Sequence, residues 1–282
     1  CFYSAPGHRK ETNMRKTILY ILLGLFAFAF LYPFIWMISA SLSEERSIAH
    51  VTLWPVAFSF NHYIKLFQSI PIARSLFNSI FVASLVTFGV LVFSSMVGYA
   101  LARHRFRGRN LIFYFLLFTM TLPFQLTLIP NYILMVEFGW TNTFAALIIP
   151  GLLNAFAIIL FRQHFLSIPQ DLIDAARIDG CNEFRILFQV LWPVSVPTLI
   201  TVGIITFMTI WNDVLWPIIV IREENLMTMP QLVTLFAVGG RSLGQIGMKL
   251  ASATLLALPI IIAYLIFQKH FIQSMAASGQ KE

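Results

Sequence analysis

The sequence predicts an all-α, polytopic membrane protein with six transmembrane helices, and three observations carry that expectation. Of its 282 residues, 58% are hydrophobic and only 11% are charged, whereas soluble domains carry about 25% charged residues. The apolar residues gather into six runs of 19 to 36 residues, each long enough to cross a hydrocarbon core of about 30 Å as a helix, which takes about 20 residues. The basic residues sit between those runs instead of along one exposed face. The formal net charge of +7 therefore reads as membrane orientation and not as nucleic-acid binding.

In chain order the runs are Thr17–Ser43, Ser75–Ala102, Asn110–Val136, Phe138–Phe161, Ile186–Ile221 and Leu250–Gln268, with Asp213 as the one charge inside them. They place spans at about 17–42, 76–102, 110–136, 142–163, 195–221 and 249–268. The fifth begins late because Pro193 and Pro197 disfavour a helix before Ser195. The first run is nearly twice the 7–15 residues of a signal-peptide core. It is expected to be a retained helix, with residues 1–16 as a cytoplasmic tail before it. A seventh apolar stretch, Asn225–Gly240, is short and broken by Pro230, and reads as a loop that dips or packs. Phe60, Tyr63, Ile64 and Phe67 have the spacing of one helical face and predict an amphipathic helix in the outer interface. Cys1 and Cys181 lie in no metal or redox spacing and imply no disulfide framework.

Orientation follows from the lysines and arginines. An even number of spans puts both ends on one side. Thirteen of the 19 basic residues fall on that side, including Arg15, Lys16, the cluster Arg103–Arg109, Arg162, Arg177, Arg185 and Lys269. Six fall opposite: Arg46, Lys65, Arg74, Arg222, Arg241 and Lys249. The positive-inside rule makes both termini cytoplasmic. The Arg103–Arg109 turn then reads as an anchor against anionic lipid.

Between the fourth and fifth spans lies a charged island, Asp171–Pro193, holding Asp171, Asp174, Arg177, Asp179, Glu183 and Arg185. Ser167 and Gln170 have capping-box spacing, and Pro169 suits the start of a helix. Gly180 supplies a stop, and Asn182 can cap a second short helix. Asp171, Asp174 and Arg177 share one side of the first helix, with Leu172, Ala175 and Ala176 on another. Such a pair of helices, 167–193, suits docking onto a soluble partner; an ordinary solvated loop is the alternative.

The fifth span carries a polar stripe. Projected as a straight helix, Ser195, Thr198, Thr201, Thr206, Thr209, Asn212, Asp213 and Trp216 fall in an arc of about 140°, with Trp211 on the far side. Lipid satisfies neither amides nor a carboxylate, so the stripe faces protein or water. Hydroxyls, an amide and an indole suit a sugar, whose C–H face meets an aromatic ring; helix–helix packing is the other reading. Asp213 could alternatively serve an ion-coupled secondary transporter, although no internal repeat supports one.

No catalytic set or metal-ligand cluster is evident. The nearest approach to a phosphate loop, Gly239–Gly244, has Gln245 where lysine is required.

Asp174-Ala175-Ala176, Gly180 and Val190-Leu191-Trp192-Pro193 together resemble the signature loop of bacterial ABC importer permeases. The match has Asp for Glu, Val for Ile and Trp for Leu. "IPQDLIDAARIDG", "WNDVLWP" at Trp211–Pro217, "NSI" at Asn78–Ile80 and "QKHFIQSMAASG" at Gln268–Gly279 resemble the carbohydrate-uptake branch, in particular the shorter, six-helix subunit of its permease pairs. The resemblance implies the type I importer fold over residues 17–282. It also implies a companion permease, two cytoplasmic ATP-binding subunits that use ATP and Mg, an extracytoplasmic substrate-binding protein, and a sugar as substrate; a polyol phosphate such as glycerol phosphate also fits the branch. Asp171, Asp174, Ala175, Ala176, Arg177, Asp179, Gly180 and Pro193 would then couple to the ATPase. Thr206, Thr209, Asn212, Asp213 and Trp216 would line the pathway. In the tail 269–282, Ser278 and Gly279 would touch the ATPase. This chain itself would bind no cofactor, and its place would be the bacterial inner membrane.

Overall fold

Helices form every regular element among the described residues, which in this computed structural model are 7–44, 54, 58–239 and 245–279. The chain divides into two units. The first takes in Cys1–Ile70 and Phe236–Leu255, the second Pro71–Leu235 and Leu256–Glu282.

The first unit begins with α1 (Gly7–Ser41), whose apolar stretch Arg15–Ser41 has none of its most hydrophobic window buried within the chain. A helix apolar all round and unburied has only lipid or another membrane protein to face. Side-chain contacts tie its end to α2 (Asn61–Ser69). Ser41 Oγ lies 2.8 Å from the Tyr63 hydroxyl, and His62 Nε2 lies 2.8 Å from the Ser43 carbonyl. His62 and Leu66 are buried, while Phe60, Ile64 and Phe67 stand more than half exposed. That two-faced pattern is the amphipathic helix the spacing predicts.

In the second unit α3 (Ile72–Arg103) is the central helix. Ser75, Ser79, Val82, Val86 and Val90 recur every three or four residues on its buried side. Against it pack α7 (Ala155–Ser167) and α11 (Val196–Trp211). Polar side chains of α3 serve as fasteners, as in other membrane interiors. Asn78 Nδ2 donates to the carbonyls of Asn225 (2.9 Å) and Met227 (3.0 Å). Ser79 Oγ accepts the Met229 N–H at 2.6 Å, and Ser95 Oγ accepts the Trp192 indole N–H at 3.1 Å.

Three of the six expected spans are not continuous helices. The run 110–136 is split into α4 (Arg109–Thr121) and α5 (Phe124–Glu137), bent by 103° at Leu122–Pro123. Pro123 has no N–H to continue the helix and bars the α conformation for the residue before it. The run 142–163 comprises α6 (Phe144–Ile148), one tight turn Ile149–Gly151, and α7, which Asn154 caps by accepting the Ala157 N–H at 3.1 Å. After α7 come α8 (Gln170–Ile178), α9 (Glu183–Arg185), a π-helical stretch Ile186–Leu191, and α10 (Trp192–Val194), bent 88° from α11 at Ser195. The wide turns bring the chain past Pro193, which cannot donate to a regular ladder. The expected fifth span also stops early, since α11 ends at Trp211 and α12 (Leu215–Val220) restarts the helix. Among the described residues three helices are thus long and apolar enough to cross a membrane, or five when each bent pair counts once.

The stretch read as a loop over Asn225–Gly240 contains a helix, α13 (Met229–Val238), with Pro230 in its first turn, where a missing N–H costs nothing. It is too short to span. The sixth expected span lies in α14 (Ile246–Gly279).

Asn182 Oδ1 accepts the Arg185 N–H at 2.9 Å, the cap that its position predicts. Asn182→Ala is expected to weaken α9 by about 1 kcal/mol, measured as faster hydrogen exchange of the segment 183–191 with little change elsewhere. The predicted capping box does not form. Ser167 Oγ bonds back to the His164 carbonyl at 2.7 Å, Gln170 reaches Asp174 and Arg103, and Pro169 starts α8 without a side-chain cap. A serine ending one helix bonds its own preceding turn more readily than it serves the next helix.

Candidate functional site

The loop 167–193 is fixed from behind by α3. Arg103, the last residue of α3, donates from its guanidinium to the carbonyls of Phe165 (2.5 Å) and Ile168 and to Gln170 Oε1 (2.8 Å). The two carbonyls lie at and just past the end of α7, where intrahelical donors run out. A planar guanidinium can span both. Tyr99, one turn earlier on α3, donates its hydroxyl to Glu183 Oε2 at 2.5 Å, and His104 Nε2 stands 3.4 Å from the same oxygen. Glu183 Oε1 accepts from Arg177 Nε at 3.1 Å, and Arg177 Nη1 lies 3.4 Å from Asp174 Oδ1.

One connected set of polar contacts therefore runs from α3 across both helices of the loop. Partial burial pulls the Arg177 pKa down, but Glu183, Tyr99 and Asp174 beside it outweigh burial and raise it. The ion pairs are 38–52% exposed and contribute at most about 1 kcal/mol each. Position thus depends chiefly on the Arg103 fork and the Tyr99 bond, which are better shielded from water.

The inner face of α8 is Ile173 and Ala176, both buried. This corrects the expected apolar side, because Leu172 and Ala175 remain exposed. Phe184 (64% exposed) borders a recess beside Met96, Ala100 and His104 of α3, and Ile178 (86%) joins Leu172 and Ala175 in an outward apolar surface. Asp171, Asp179 and Arg185 flank it, their side chains without ion-pair partners among the described residues. Gly180 joins the two helices at φ +79°, with open space where a side chain would begin. Pro193 is also exposed. A rigid platform carries an unpartnered apolar face ringed by charge.

A second feature lies where the broken helices meet. The Phe124 ring, at the start of α5, stands edge-on to the Trp216 ring of α12, centroids 6.2 Å apart. Beside them is a cavity of about 250 Å³, bordered by Val82, Asn131, Leu147, Ile210, Asp213 and Thr228 as well as the two rings. The Trp216 indole N–H is spent on the Ala146 carbonyl at 2.8 Å, which fixes the ring. Asp213 Oδ1 accepts the Trp216 backbone N–H at 3.4 Å. Irregular backbone at membrane depth persists only where protein covers it or where it lines a cavity, and here two breaks line one.

Residues 91–277 match the family model described as the inner membrane component of binding-protein-dependent transport systems. The chain belongs to this family. It is 33% identical over 279 residues to an arabinooligosaccharides transport system permease protein of Halalkalibacterium halodurans, an alignment covering 97% of this chain and 99% of the relative. A lactose transport system permease protein of Rhizobium radiobacter is 30% identical, with 93% and 95% covered. Among solved structures, a chain of a bacterial ABC transporter involved in the import of the acidic polysaccharide alginate superimposes with a TM-score of 0.81 at 28% identity, covering 96% of this chain and 99% of that one. The protein is accordingly a multi-pass, inner-membrane ABC importer permease.

Within this permease the predicted coupling residues, Asp171 to Pro193, lie together on one loop system. The pathway residues divide. Asp213 and Trp216 border the cavity; Thr206 is buried in α11; Thr209 and Asn212 are exposed and bond the Ile205 and Met208 carbonyls one turn back, each at 2.8 Å. The straight-helix stripe fails because the helix stops at Trp211, so 100° per residue no longer relates Thr209 to Trp216. Ser278 and Gly279 fall at the end of α14, where the backbone alone is described. Gly240, Arg241 and Gly244 of the expected outer loop, and Arg46, lie outside the described residues. Asn131, Thr228, Tyr99 and Arg103 have no motif in the sequence to mark them. A lone Asn or Thr in an apolar run was the only available signal for the first two.

Proposed function

We propose that this permease pairs with a companion permease to import an oligosaccharide delivered by an extracytoplasmic binding protein, driven by a cytoplasmic ATPase dimer to which the loop 167–193 couples it. The observation that carries the reading is the outward face of α8, with Leu172 and Ile178 exposed beside Asp171, Asp179 and Arg185. Soluble-facing apolar surface of this kind marks a protein interface. The relatives' stated substrates, arabinooligosaccharides and lactose, support a sugar. The distribution of basic residues supports a cytoplasmic loop and cytoplasmic termini, with ATP and Mg held by the partner subunits and Ser278 and Gly279 near them. Thr206, Thr209, Asn212, Asp213 and Trp216 belong to the translocation route, Thr209 and Asn212 on the wall toward the companion.

Gly180→Arg tests the docking. The new Cβ meets nothing within 4 Å in this chain, so the fold loses only the strain of a left-handed non-glycine residue, about 1–2 kcal/mol. The added side chain projects from the loop toward whatever docks. The expected result is a chain that still inserts and pairs with its companion but loses sugar-stimulated ATP hydrolysis by tenfold or more. Normal stimulation in the variant would remove the docking role from this loop.

A further inference from the structure

We infer that the cavity at the two helix breaks is a binding subsite for one neutral sugar ring, held by Asn131, Asp213 and Thr228 against Phe124 and Trp216; the inference rests on the importer reading above. The cavity combines apolar walls with a few convergent polar groups, as small-molecule sites do. Thr228 is 94% buried, being 6% exposed, and its Oγ1 has no hydrogen-bond partner among the described residues. A buried hydroxyl left unpaired costs free energy that a ligand hydroxyl would recover. The Asn131 amide borders the same space and has no partner among the described residues. Asp213 accepts from the backbone N–H groups of Trp216, at 3.4 Å, and of Leu215, and its two oxygens still hold lone pairs for a ligand hydroxyl.

Amide, hydroxyl and carboxylate together offer both donors and acceptors, which is what the vicinal hydroxyls of a sugar require. The volume, about 250 Å³, falls just below the roughly 300–1,000 Å³ of sites for larger ligands, so it fits one ring of a chain. Among the described residues Asp213 is the only charged one on the cavity wall. An unpaired carboxylate there repels uronates and phosphates, and the ligand class is therefore neutral sugars. The subsite lies in this chain, whatever the companion contributes.

The test uses the complete transporter in proteoliposomes with its binding protein, carrying Cys1→Ser and Cys181→Ser and a single thiol from Asn131→Cys or, separately, Thr228→Cys. The probes are lactose, arabinotriose and maltotriose, with trigalacturonate as the acidic counterpart. ATP hydrolysis identifies which probe the transporter accepts, and the rate of thiol modification by a methanethiosulfonate reagent reads occupancy. An accepted neutral probe is expected to slow modification at least tenfold at both positions, while ATP with unliganded binding protein does not. Stimulated hydrolysis with unchanged modification at both thiols overturns the subsite and leaves the importer reading standing. Stimulation and protection by trigalacturonate overturn the neutral class. Absence of stimulation by every probe counts against the importer reading itself.

Discussion

Gly98→Ala is expected to separate α3 from α7 and to lower the stability of the permease more than any other single methyl addition in the second unit. A Cβ at position 98 would stand 2.7 Å from the Phe161 Cβ, 3.1 Å from the Arg162 nitrogen and 3.1 Å from the Ile158 carbonyl oxygen. Two of those atoms are backbone and the third is fixed to it, so no rotamer change relieves the contact. One helix must shift. Overpacking of this kind costs about 1–3 kcal/mol and occasionally more. The gain in helix propensity from Gly to Ala, about 1 kcal/mol, offsets only part of it.

Gly203→Ala is the matched control. Its nearest neighbours, on Leu91 and Thr87, are 3.8 Å away, so the propensity gain should appear nearly undiluted. Thermal unfolding of the two purified variants checks the pair. The first should lose about 1 kcal/mol net, or roughly 2–4 °C at 2–4 °C per kcal/mol, and the second should match or exceed wild type. Equal midpoints for both would mean that α3 and α7 are not in close contact at Gly98.

The contrast between these glycines shows what kind of information the sequence holds. Apolar runs are legible because lipid demands them everywhere along a span, and the charged island is legible because charge in such a chain has few permitted places. The cap at Asn182 and the turn at Gly180 are equally local, each set by one residue's side chain or φ. Breaks are different. Hydropathy is blind to the 103° bend after Leu122, although Pro123 is its physical cause. At Asn212–Val214 the break lies just before Pro217, whose ring excludes a helical bond to the Asp213 carbonyl, and hydropathy does not register that spacing either. Which face of α8 turns inward also depends on what lies beneath it: Ile173 is buried and Leu172 exposed, a choice made by the stretch Ile186–Leu191 packed against α8 and not by the spacing of apolar residues. The same limit hides the cavity, whose polar members come from positions 131, 213 and 228.

Arg103 carries the other large prediction, because its role reverses what the sequence implies. In the basic cluster it reads as an anchor to lipid, yet its guanidinium is turned inward onto Phe165, Ile168 and Gln170. Arg103→Ala is expected to uncouple the transporter: ATP hydrolysis continues, but sugar taken up per ATP falls at least tenfold. The physical reason is mechanical. The loop can transmit force to the membrane helices only if α7 and α8 move together with α3, and the fork is the contact that joins all three. Removing it leaves two carbonyls short of donors, at about 1–3 kcal/mol, a local loss that a helical unit of this size survives. Arg103→Lys keeps the charge but not the planar fork and should recover only part of the ratio. Lysine restoring it fully would mean that charge, and hence lipid anchoring, is what position 103 supplies. Tyr99→Phe distinguishes the two ties to the loop, since it keeps the ring packed on Phe165 and deletes only the bond to Glu183. A smaller fall in the ratio there than in Arg103→Ala places the main strain-bearing contact at the end of α7, where the loop leaves the membrane.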